Sequence, residues 1–145
     1  MNSYFDTSVL FPAMVEAHPL HKVSKAAFRD AVQQGKVVCL STHLYAELYA
    51  NLTRFPRGNK ISPVAAARLI TSLRKTVATI ELGAPDYEAA LHRCAQKGLV
   101  SGVIYDALHL QAALKAEVSV LYSNNFSDFE RLLDPADKIE LKAVP

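Results

Sequence analysis

Cysteine is scarce in this chain of 145 residues: Cys39 and Cys94 are the two present, with no CxxC and no Cys/His ligand spacing. That excludes a disulfide framework and a zinc ribbon, and a reduced, cytoplasmic chain is the plain expectation. The five histidines (His18, His21, His43, His92 and His109) show no HxxxH pairing, which argues further against zinc. Neither sign of charge is in large excess. Sixteen Lys and Arg against fourteen Asp and Glu leave a formal charge of +2, excluding a generic basic coat and an acidic tail. No apolar run approaches the roughly 18 residues of a membrane span, so no membrane partner is expected. The N-terminus carries Asp6 and no basic segment, unlike a signal peptide. No repeat, low-complexity tract or linker divides the sequence, and one domain over residues 1–145 is expected.

What is present is globular: half the residues are apolar and 21% are charged. A chain of this length buries about two-thirds of its unfolded surface, enough for a core without staples. Short apolar runs at Ser3–Phe5, Val37–Leu40, Val77–Leu82, Val118–Tyr122 and Ile139–Val144 read as strands. Helical patterns lie between them. Leu20–Gln34 is closed by Gly35; a second helix, capped by Ser41 or Thr42, reaches about Arg54; a third opens at Ser62-Pro63 and runs to about Lys75. Pro85–Lys97, Asp106–Glu117 and Phe126–Leu133 follow, and one more helix stands directly after Asp6. Strand, two helices, strand, two helices, strand, two helices, strand, helix, strand is the rhythm of an α/β fold whose parallel sheet is covered on both faces. Ligands in such folds sit beyond the carboxyl ends of the strands, near the topological switch point.

That rule directs attention to strand ends. Asp6 ends the first run and precedes Thr7 and Ser8. It is well placed to hold a divalent cation, although taken alone it reads as a cap on the following helix through Thr7 or Ser8. Glu47 shares a helical face with Leu44, Asn51 and Arg54, where a solvated glutamate is the ordinary reading. Asp106 precedes an apolar helix, and capping that helix is a sufficient role for it. Ser123-Asn124-Asn125 with Asp128 follows the fourth strand, where turn residues are common. Together the set is more telling: several hard oxygen donors arriving from distant positions suit Mg²⁺ or Mn²⁺. Such a cluster needs a cation, because crowded carboxylates repel. His109 reads as a satisfied core histidine rather than a ligand.

The charge is also unevenly placed. No acid lies between Glu47 and Glu81, a stretch carrying Arg54, Arg57, Lys60, Arg68, Arg74 and Lys75. A positive flank beside an acidic metal site suits a phosphodiester, and a solvated helical face accounts for the same residues equally well.

These pieces, in their order, resemble the PIN-domain ribonucleases, specifically VapC-type toxins of bacterial toxin–antitoxin pairs. The matching segments are Tyr4-Phe-Asp-Thr-Ser8, Ser41-Thr-His-Leu-Tyr-Ala-Glu-Leu48, Tyr105-Asp-Ala-Leu108 and Leu121-Tyr-Ser123 leading to Asp128-Phe129. The resemblance implies a three-layer fold with a five-stranded parallel sheet, and metal-dependent endonuclease chemistry on RNA. It also implies homodimers and inhibition by a cognate antitoxin. It assigns Asp6, Glu47 and Asp106 to three family acids, and Thr7 or Ser8 and Ser123 to family hydroxyls. Where the family commonly shows a further Asp, this chain has Asn125, which brings no charge; Asp128 is positioned to compensate. The expected site is therefore Asp6, Glu47, Asp106, Asn125 and Asp128 around Mg²⁺ or Mn²⁺, with Thr7, Ser8, Ser123, Arg54 and Arg57 contacting substrate. A non-catalytic RNA-binding PIN module is the alternative that Asn125 keeps open. An aspartyl phosphatase fits less well, since its second Asp is replaced by Ser8.

Overall fold

The computed structural model describes residues 2–54 and 61–144. Its five strands are β1 (Asn2–Phe5), β2 (Val37–Ser41), β3 (Ala78–Ile80), β4 (Val120–Tyr122) and β5 (Glu140–Lys142). All neighbours pair in parallel, in the order β3-β2-β1-β4-β5. The helices are α1 (Thr7–Met14), α2 (His21–Gln33), α3 (Thr42–Arg54), α4 (Pro63–Arg74), α5 (Ala84–Gln96), α6 (Val103–Lys115) and α7 (Phe126–Leu132). The expected α/β architecture and element order are found. Three strands are shorter than their apolar runs because the ladder stops where the neighbouring strand stops. Among the described residues no helix is long and apolar enough to cross a membrane.

The central strand divides the core. Tyr4 faces a cluster containing Leu108, Leu110, Leu121 and Phe129, contributed largely by α5–α7. Phe5, next in sequence, faces the opposite cluster with Val9, Leu40, Leu44 and Leu48, built from α1–α4. Alternation along one strand thus supplies both helical layers. Gly35 and Gly98, at φ +74° and +66°, turn the chain out of α2 and α5 in the left-handed region that glycine tolerates.

β1 has β2 on one side and β4 on the other, so the chain changes direction across β1 and β4. That is the switch point, and Asp6 follows the end of β1 there. The Asp6 amide donates to the Tyr122 carbonyl at 3.1 Å, carrying the ladder up to the site.

Candidate active site

Asp6 is only 2% exposed. It occupies the residue before α1, yet its side chain does not cap that helix. Its two oxygens instead accept from Ser8 Oγ and Ser123 Oγ, each at 2.6 Å. The capping alternative is thereby set aside, and the hydroxyls after β1 and β4 hold the acid. Ser123 Oγ and Ser8 Oγ in turn accept from the Asn125 and Asn124 amides, both at 2.8 Å. Burial raises the Asp6 pKa, against lowering by His109 and the two serines.

Glu47 comes from α3. Ser41 opens this helix by accepting from the Leu44 amide at 3.0 Å, and Leu44, Leu48 and Leu52 form its buried stripe. Glu47 sits beside that stripe, half-buried. Its Oε1 accepts from Thr7 Oγ1 at 2.9 Å and from His109 Nε2 at 2.6 Å. His43 Nε2 lies 3.8 Å from Oε2, beyond hydrogen-bond reach. Burial alone would raise this carboxyl, but His109, His43 and Thr7 outweigh it and hold Glu47 well below the usual range.

Asp106 is not a helix cap. α6 begins at Val103, with Gly102 in the capping position, which puts Asp106 inside the first turn. The helix starts early because Val103 and Ile104 pack onto the α5–α7 core cluster. Burial, then the facing Asp128 carboxyl, then the charges of Asp6 and Glu47 push Asp106 up to about 8.

Asn125 Nδ2 donates to Asp106 Oδ2 and Asp128 Oδ2, both at 2.9 Å. The amide nitrogen therefore faces the acids, and ligation through the carbonyl oxygen requires the amide to turn over. Asp128 is also paired with Arg131. Its pKa is lowered by Asn125 and by Arg131.

Asp6, Thr7, Ser8, Glu47, Asp106, His109 and Asn125 all line one cavity of about 380 Å³, together with Phe11, Pro12, His18, Leu20 and Asn51. Exposed Arg54 reaches its rim by donating to Asn51 Oδ1 at 3.3 Å. Arg57 lies outside the described residues. Among the described residues, no three His, Cys, Asp or Glu side chains already close around a cation position. The donor chemistry nonetheless fits a hard divalent ion. Asp6, Glu47 and Asp106 offer oxygen, and burial, with Asp128 and the other acids, leaves Asp106 holding a proton that a cation would replace.

The family profile described as "PIN domain" matches residues 3–132. The chain belongs to the PIN domain family. It is 33% identical over 131 residues to "Ribonuclease VapC27" of Mycobacterium tuberculosis, covering 88% of this chain and 89% of that one. Two solved structures share the fold. Mycobacterium tuberculosis VapC20, described as a Sarcin-Ricin loop cleaving toxin, matches with a TM-score of 0.71 at 20% identity, covering 88% of this chain and 93% of its own. VapBC2 from Rickettsia felis, bound to a DNA fragment from the promoter, matches with a TM-score of 0.69 at 18% identity, covering 99% and 98%.

In this PIN domain the sequence reading missed how far the histidines reach. His109 is a core residue, as expected, but one ring nitrogen touches Glu47. Its position three residues after Asp106, on the same helical face, was the available signal. His43, four residues before Glu47, stacks on Tyr105 with ring centroids 5.5 Å apart.

Proposed function

We propose that the protein is a metal-dependent endoribonuclease that hydrolyses RNA phosphodiester bonds, acting in the cytoplasm as the toxin of a toxin–antitoxin pair. The observation that carries this reading is the meeting of Asp6, Glu47 and Asp106 on one cavity at the switch point of a PIN-domain sheet. These three acids would hold Mg²⁺ or Mn²⁺, with Asn125 and Asp128 assisting. A bound ion of this kind supplies a water of lowered pKa and stabilises charge on the scissile phosphate.

The chain's own residues do the rest. Ser8 and Ser123 fix both oxygens of Asp6. Thr7 occupies one oxygen of Glu47, leaving the other available. Arg54 at the rim, with Arg57, draws the phosphate backbone toward the acids. Cleavage by water would leave a 5′-phosphate and a 3′-hydroxyl. A cognate antitoxin and a second copy of the chain are the proposed protein partners.

Asn125 favours a second reading, a module that binds RNA without cutting it. Incubating the protein with total RNA, in Mn²⁺ or in EDTA, and mapping fragment ends separates the two. Metal-dependent fragments with uniform ends support the nuclease; RNA bound intact and unaffected by EDTA supports the module.

A further inference from the structure

We infer that His109 is a positioning residue that fixes the rotation of the Glu47 carboxylate, and that Tyr4 fixes His109. This rests on the reading of Glu47 as a cation ligand. His109 is 2% exposed, on a helix buried at Ala107, Leu108, Leu110, Ala112 and Ala113, so its ring cannot swing to solvent. Both nitrogens are engaged. Nε2 lies 2.6 Å from Glu47 Oε1, and Nδ1 lies 2.7 Å from the Tyr4 hydroxyl. A carboxylate only accepts, so Nε2 carries the proton. Tyr4 Oη also accepts from the Ser41 amide at 3.3 Å, which ties this contact to the end of β2. The contacts form one chain: Ser41 N–H to Tyr4 Oη, Tyr4 Oη to His109 Nδ1, and His109 Nε2–H to Glu47 Oε1.

The chain has a consequence at the cavity. Oε1 also accepts from Thr7, so it is saturated on its protein side. Oε2 is the oxygen left for a cation, so Glu47 would offer one oxygen rather than two. The lock spans three elements: Tyr4 on β1, Ser41 at the end of β2 and His109 on α6. It therefore sets Glu47 against Asp6 and Asp106, which stand on two of the same elements. Outer partners of this sort orient ligands and tune their basicity, and losing one commonly costs about 10- to 100-fold in metal affinity.

The test uses the full chain and Mn²⁺. Nitrogen-15 NMR of the metal-free protein, with the His109 ring assigned by its disappearance in H109Q, should show Nε2 protonated. A bare Nε2 overturns the lock, whether or not metal binds. Calorimetric titration with Mn²⁺ should show H109L weakened about 10- to 100-fold. H109Q, whose amide nitrogen reaches about where Nε2 stands, should stay within a few-fold of wild type. Wild-type affinity in H109L, or no rescue by Gln, overturns the inference. If H109L does not fold, Y4F decides: it leaves His109 in place, and unchanged Mn²⁺ affinity sinks the role of the chain. Failure of the wild-type protein itself to bind Mn²⁺ would sink the metal reading instead.

Discussion

Glu47 and Asp106 line the same cavity and carry the same functional group, yet their proton affinities are moved in opposite directions. Burial raises both. Glu47 then receives hydrogen bonds from His109 and Thr7, which favour its ionised form. Asp106 is offered one amide hydrogen, from Asn125, and faces Asp128, Asp6 and Glu47. One side of the site has its negative charge stabilised in advance by the fold; the other stores repulsion. The difference indicates where a divalent ion has most to offer: at Asp106, where its charge replaces a retained proton.

The sharpest way to break this contrast is Asp106→Asn. Cleavage of RNA in Mn²⁺ should fall by more than about a hundredfold, beyond the usual cost of losing an outer partner. The metal-free variant should melt at a higher temperature than wild type at neutral pH, because folding no longer requires this position to take up a proton. Full activity in the purified, folded variant would refute the assignment, and so would full activity in Asp6→Asn.

Metal itself should relieve the stored repulsion. At a concentration of Mn²⁺ about a hundred times its dissociation constant, linkage gives roughly 2.7 kcal/mol of added stability. For a domain of this size that is a rise of several degrees in melting temperature. EDTA should reverse it, and Asp106→Asn should abolish it. A melting curve indifferent to Mn²⁺ would remove the basis for placing a cation here.

The effect of pH has a fixed sign. Asp106 titrates near 3.8 in the unfolded chain and at about 8 in the folded one. Between those values the folded state holds a proton that the unfolded state has lost, so this group's contribution falls as pH rises through the window. Metal-free wild type should therefore lose melting temperature from about pH 4 to pH 8 relative to Asp106→Asn, with the two slopes converging above pH 8. Parallel profiles would contradict the raised pKa.

Much of this was legible in the sequence, for identifiable reasons. Short apolar runs separated by helical periodicity located all five strands, because the sheet packs apolar residues against helices on both faces. Asp6 was found from its position at a strand end. Asp106 was found too, but its place in α6 was misjudged. An acid before an apolar run looks like a cap, whereas α6 is started by Val103 and Ile104 packing on the core, which is a tertiary cause. The joining of Tyr4 to His109 across 105 positions was beyond any local pattern, since it depends on β1 and α6 lying face to face.

Asn125 offers the subtlest test, because it is hydrogen-bonded to both Asp106 and Asp128. Its nitrogen donates to both, so Asn125→Asp deletes two hydrogen bonds and adds a carboxylate beside the two acids. Without metal the variant should lose about 1–3 kcal/mol, the usual cost of leaving buried acceptors unpaired, reduced by the exposure of Asp128. With metal the sign should invert, since a further acid gives the cation another charged oxygen and raises its affinity. A melting temperature lower than wild type in EDTA and a larger rise on adding Mn²⁺ are the paired expectation. If Asn125→Asp were the more stable protein in EDTA, Asn125 would not be neutralising Asp106 and Asp128, and the contrast with Glu47 would need another cause.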